Sequence, residues 1–299
     1  MALFSLQNQQ LALTVSSRGG TILQLLALTA AGDVPLLRPA ELSDETDALR
    51  SGCFPLVPFG NRVNGNRFSF QGRQYALAAN TDWDQHYLHG DGWLNQWLCL
   101  EQAPDALLLE YVHTQGVYRY RYRARQRFTL TGATLAVALS VTNLGEDTLP
   151  FGLGWHPYFP LTEHTRLRAS AAGYWREGEQ WLAGEHRDGL PADSDFNAPR
   201  VLPRRWVNNG FSGWDGQARI EWPERRHGLT LCTEPACPVY FVFVSDPAFD
   251  PGYDFEFFCF EPMSHAANGH NLPDLGGMTA LAPQETLTQT LSLVSQAGV

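Results

Sequence analysis

The feature that most restricts this chain is a period of two. Short segments in which apolar residues alternate with polar or small ones recur from end to end, separated by turn-forming residues, as in strands with one buried face. Leu11, Leu13 and Val15 stand in phase before Gly19-Gly20, and TILQLLAL runs from there to the turn Ala31-Gly32-Asp33. In RFSFQGRQYAL, Phe68 and Phe70 precede Gln71-Gly72 and Tyr75 and Leu77 follow, which predicts a hairpin whose glycine supplies a positive φ. YRYRYRARQRF places Tyr118, Tyr120 and Tyr122 on one face and its arginines on the other, and it is expected to pair with the next segment, where Leu135, Val137, Leu139 and Val141 alternate. LTLCT, VYFVFVS, DFEFFCFEP and TLTQTLSLV continue the pattern, with Leu287, Leu291 and Leu293 in phase. Helical periodicity is hard to find. With no internal repeat or compositional break, the expectation is an all-β fold of large antiparallel sheets, a sandwich forming a single domain over residues 1–299. The stretch from Tyr174 to Arg205, richer in Gly, Asp, Pro and Arg, is expected to form long loops.

Charge narrows the choice of partner. Lys and Arg number 21 against 31 Asp and Glu, a net charge of −10. No basic block is present to track phosphates, so neither nucleic acid nor an anionic membrane is an expected partner. The arginine ladder of YRYRYRARQRF reads as the solvent face of a strand rather than a base-stacking surface. The N-terminus lacks a basic region followed by an apolar run, and VYFVFV falls well short of the ~18 residues a membrane span needs, so the chain is expected to be soluble and cytoplasmic. Five cysteines without a CxxC pair fit reduced thiols, with Cys259 a buried apolar residue. The sequence does not distinguish a monomer from a homodimer.

Four polar constellations sit among glycines, prolines and aromatics, as in a cleft built at strand ends. Arg62, in FPLVPFGNRVNG, needs an ion-pair partner or a ligand because its charge cannot be removed. TDWDQHYLHGDGWLNQW holds His86 and His89, which lack the spacing of a zinc helix, and Trp93 and Trp97, which are core residues or sugar-stacking plates. His156, in GLGWHPYFPL, on its own residues favours a structural histidine among aromatics over a catalyst. Asp215 in GWDGQ and Glu285 in LAPQETL stand at turns beside strands, where a plain surface carboxylate is the usual explanation.

Taken in order, FGNRV, LHGDGWLNQW, GWHPYF, WDG and LAPQETL resemble the aldose 1-epimerase (galactose mutarotase) family, over most of the chain from about Leu11 to Leu293. The resemblance implies an antiparallel β-supersandwich and an isomerase that interconverts α and β anomers of a free aldose, a small-molecule sugar. It implies His156 as general acid, Glu285 as general base, and Arg62, His89 and Asp215 as sugar-binding residues. Two departures stand out: Gln284 occupies the place where the family usually has glycine, and HPYF replaces the HTYF of many galactose-specific members.

The chemistry suits those residue types. Anomer exchange removes the proton of the C1 hydroxyl while protonating the ring oxygen; the ring opens to an aldehyde, the C1–C2 bond turns, and closure gives the other anomer. It needs an acid and a base that can exchange roles, and no redox step, metal or cofactor. Arg62 and His89 could also ease charge on the oxygens. Three other readings remain: a glycoside hydrolase using Asp215 and Glu285, a non-catalytic sugar-binding protein, and a sugar-phosphate epimerase, for which only Arg62 and Arg67 stand near the motifs as cations.

Overall fold

The computed structural model describes residues 2–114 and 120–298. Among the described residues the alternating segments assemble into two large antiparallel sheets, of eleven and nine strands, with two small two-stranded ribbons, and the only helical segments are short 3-10 turns. No helix among these residues is long and apolar enough to cross a membrane.

The larger sheet runs from an N-terminal meander (Leu3–Gln7, Leu11–Ser16, Thr21–Ala27) through Cys53–Leu56, Gly154–Pro160, Phe257–Met263, Val239–Val244 and Val207–Ser212 to Gly173–Glu177 and Ala183–Asp188 at the far edge. The second sheet is centred on Thr286–Ala297, flanked by His227–Glu234 and Thr134–Asn143. Apolar side chains of both sheets join one contiguous cluster, in which Leu291 and Leu293 of the second sheet are buried together with Phe159 and Phe258 of the first. Trp222 of the second sheet donates its indole N–H to the Pro160 carbonyl of the first at 2.8 Å. One face of the larger sheet therefore belongs to the core, and the alternate residues of the same strands emerge on its other face.

Gln71 and Gly72 form a two-residue hairpin loop between Arg67–Phe70 and Arg73–Ala76, with both residues at positive φ. The arginine strand pairs with its successor throughout Tyr122–Thr131 and Thr134–Asn143; Tyr120 and Tyr122 are buried and Arg121, Arg125 and Arg127 exposed, while Tyr118 and Arg119 lie outside the described residues. Cys259 is fully buried, and all five thiols are free. One expectation is corrected: residues 174–205 are not loop throughout, since Gly173–Glu177 and Ala183–Asp188 pair as the edge of the larger sheet. Their outer strand is mostly exposed, so it has no apolar alternation to betray it.

Candidate active site

His156 stands in the middle of Gly154–Pro160, a strand whose seven residues are all buried. Its neighbour on one side is Phe54, directly opposite in the Cys53–Leu56 strand, and the two rings stack at 4.5 Å. Its neighbour on the other side is the Phe257–Met263 strand, where Gly154 faces Met263 and Tyr158 faces Cys259; that register brings Glu261 level with His156. Nε2 of His156 lies 3.3 Å from Oε1 of Glu261, and Glu261 is only 2% exposed. Neither Nδ1 of His156 nor Oε2 of Glu261 has a hydrogen-bond partner among the described residues.

His89 completes a triangle. A ring nitrogen of His89, one of His156 and a carboxylate oxygen of Glu261 all lie within 4.8 Å of one another, and the His89 ring meets the His156 ring edge to face at 5.2 Å. The loop holding His89 is tightly determined. Asn61 donates its backbone N–H to His89 Nδ1 at 3.0 Å and accepts the His89 N–H at its carbonyl. Because Nδ1 accepts, the neutral ring carries its proton on Nε2. The Asn80 side chain bonds the backbone of Leu88 and Gly90 three times, and the indole of Trp93 donates to the Gly90 carbonyl. His89 and Gly90 are both left-handed (φ 60° and 68°), and a Cβ on Gly90 would stand 2.2 Å from the Val57 carbonyl oxygen. Gly90→Ala is therefore expected to destabilise the protein by at least about 2 kcal/mol and to displace His89, read as a lower urea midpoint together with lost activity. Trp93 and Trp97, only 3% and 1% exposed, are core supports of this loop rather than sugar-facing plates.

Arg62 has the ion-pair partner that its charge calls for. Its Nε pairs with Asp84 at 2.7 Å, with both side chains buried, and its charge reaches His89, His156 and Glu261. Asp84 is held in turn by the His86 N–H on its other oxygen. His86 is buried but is not part of the triangle.

Burial sets the protonation of the pair. It pushes the Glu261 carboxyl up to about 8, with Arg62 acting in the opposite sense. It pulls His156 down to about 3, with Arg38 and Arg62 adding to the depression. His89 is lowered as well, first by burial and then by His156 and Arg62. Near neutrality the pair thus holds one proton, on the carboxyl group, beside a neutral imidazole that can accept one.

Glu285 and Asp215, for which the resemblance implies the base and a sugar contact, lie outside this cluster. Glu285 is exposed on a turn of the second sheet, where its carboxylate accepts the Ala282 N–H at 2.8 Å and its backbone N–H returns to the Ala282 carbonyl. Gln284 before it has φ 68°, so the turn keeps the left-handed conformation that glycine favours even though glutamine occupies it. Asp215 is exposed between Val207–Ser212 and Gln217–Trp222, with its carboxylate accepting the Gln217 N–H. Arg67 is exposed at the start of its hairpin. The buried carboxylate that sequence reasoning missed, Glu261, had one signal: it shares the buried phase with Cys259 and Met263 in FFCFEPM.

Two imidazoles and a carboxylate are also a donor set for a divalent cation. Equally, they are the groups that proton transfer at a sugar's anomeric centre calls for.

A family model described as aldose 1-epimerase matches residues 2–294. The chain is 55% identical to the uncharacterised Escherichia coli K12 protein YphB over 294 residues, 98% of each chain. A crystal structure from Escherichia coli K12 superimposes with a TM-score of 0.95 at 54% identity, covering 99% of both chains. A GalM/aldose epimerase homologue from C. elegans shares the fold at 16% identity, with a TM-score of 0.84 over 100% of this chain and 99% of its own. With its β-supersandwich architecture and this match along nearly its whole length, the chain belongs to the aldose 1-epimerase family.

Proposed function

We propose that the chain is an aldose 1-epimerase that interconverts the α and β anomers of a free aldose, with Glu261 and His156 as the proton-transfer pair. The observation that carries the reading is the 3.3 Å approach of Nε2 of a buried imidazole to Oε1 of a buried carboxyl group. The anomeric hydroxyl oxygen and the ring oxygen are bonded to the same carbon, so the acid and base serving them have to be close neighbours. Glu261 donates its proton to the ring oxygen as His156 takes the proton of the C1 hydroxyl, and the ring opens to the aldehyde. After rotation about C1–C2, the same two groups return their protons in the opposite sense as the ring closes on the other face. His89 offers its Nε2–H, and Arg62 its positive field, to the oxygen that gains negative charge at C1. Phe54 and Tyr158 keep the pair in an apolar setting where those interactions are strong.

This differs from the pattern implied by family resemblance in two ways. The carboxyl partner is Glu261 rather than Glu285, and the acid and base are reversed, with the imidazole neutral at rest. Asp215 has no part in the reaction.

The test is the equilibration of freshly dissolved pure anomers of several aldoses, followed by polarimetry or NMR. Acceleration by the wild type, lost by roughly a hundredfold or more in His156→Ala, is the expected result. Treatment with a chelator should leave the rate unchanged; loss of activity restored by a divalent cation would favour the metal reading of the same three residues. Tight sugar binding without any acceleration would favour a binding protein, and release of sugar from aryl glycosides a hydrolase.

A further inference from the structure

The sheet face that presents His156 and Glu261 continues past them. In the next strand Phe241 lies opposite Glu261 and Phe243 opposite Cys259; in the strand after that, Gly210 lies opposite Phe241 and Asn208 opposite Phe243. Directly opposed residues share a face, so Asn208 points the same way as the proton-transfer pair. Its amide donates to Oε1 of Glu177 at 3.1 Å, while the indole N–H of Trp206 donates to Oε2 at 2.6 Å. Glu177 is thereby fixed at both oxygens, each with lone pairs left to accept from a further donor.

Aromatic rings connect this carboxylate to the reaction centre. Trp206 lies 5.1 Å from Phe249, and Phe249 meets Trp181 edge-on at 5.3 Å. The Trp181 carbonyl accepts from Arg62 at 3.4 Å, and the Arg62 guanidinium lies 5.6 Å from the Trp181 ring. Phe249 is 40% exposed, and Trp181 and Trp206 are half-buried. Gln180 and Trp181 both take left-handed φ values (56° and 60°), a costly conformation for side chains of this size, and it sets the indole at the rim of the site. The shelf offers what a pyranose ring presents a partner for: open aromatic surface for its C–H face, and a fixed carboxylate for its hydroxyls.

We propose that Trp181, Phe249, Trp206 and Glu177 form a second sugar subsite, and that the substrate is a reducing disaccharide whose reducing-end ring reacts at His156 and Glu261. The proposal rests on the anomerase reading above. The test compares anomer exchange by NMR for glucose and galactose with that for maltose, cellobiose, lactose and melibiose, using wild type, Phe249→Ala and Phe249→Tyr. The wild type should turn over at least one disaccharide with a lower KM than either monosaccharide. Phe249→Ala should raise that KM roughly three- to tenfold, the worth of one lost aromatic contact, and leave kcat and the monosaccharide constants unchanged. Phe249→Tyr, which keeps the ring, should retain the wild-type KM. Acceleration of monosaccharides but of no disaccharide overturns the subsite while leaving the reaction standing, as does a disaccharide KM that Phe249→Ala does not move. Acceleration of no sugar overturns the reaction and, with it, the substrate drawn from it.

Discussion

Glu261→Gln will lower the anomerisation rate by roughly a hundred- to ten-thousand-fold, while Glu285→Gln will leave it near the wild-type value. Glutamine is a sharp probe at this position. Glu261 is held neutral by its burial, so the amide matches its size, its charge and its capacity to donate a hydrogen bond, and lacks only the transferable proton. A large loss therefore isolates proton transfer from packing. At Glu285 the same exchange changes an exposed carboxylate whose hydrogen bond goes to its own turn. NMR exchange spectroscopy on both variants, with circular dichroism to establish folding, decides the matter. A large loss at Glu285 with activity retained at Glu261 would return the carboxyl role to the turn.

The second large effect is on pH dependence. In the native state His156, His265 and His270 are lowered to about 3, 4 and 3, all chiefly by burial. The unfolded chain binds protons at these sites below about pH 6.5 where the native state does not, so their contribution to stability is complete above 6.5 and is lost as the pH falls. Glu261 works in the other direction. Its native carboxyl keeps its proton up to about 8 against an ordinary value of 4.5, so its contribution is present at low pH and declines as the pH rises through that window. Several histidines outweigh one carboxyl below 6.5; between 6.5 and 8 Glu261 acts alone among them. Stability is thus expected to peak near pH 6.5 and to fall by about 2 kcal/mol by pH 8, while Glu261→Gln stays level over that interval. Urea midpoints of both proteins from pH 5.5 to 9 measure this, and a wild type without the alkaline decline would sink the assignment of a neutral Glu261. The anomerisation rate should fall above about pH 8 for the same reason, as Glu261 loses the proton it donates.

Much of this architecture was legible because burial writes itself into a strand as a period of two, and the hairpin at Gln71-Gly72 and the arginine strand were readable on that basis. The edge strand Ala183–Asp188 was not, since a mostly exposed strand has no buried phase. The site was half legible. Arg62, His89 and His156 stand out as polar residues in apolar or glycine-rich surroundings, and the structure gathers them. The carboxylates at turns drew attention because turns punctuate a sequence, yet a turn carboxylate such as Asp215 has its own backbone to bond. Glu261 was hidden by the run of phenylalanines before it, which reads as core, and only the pairing of its strand with that of His156 reveals its neighbour.

That pairing has a consequence for how such a protein can change. His156 and Glu261 lie on adjacent interior strands, with ladders of backbone hydrogen bonds on both sides, whereas Trp181 and Phe249 lie on connecting segments at the rim. Insertions and substitutions in those segments can remodel what is admitted without altering the distance between the two groups that move the protons. On the function proposed for this chain, the rim can be redrawn to admit another sugar while the reaction centre stays where the sheet puts it.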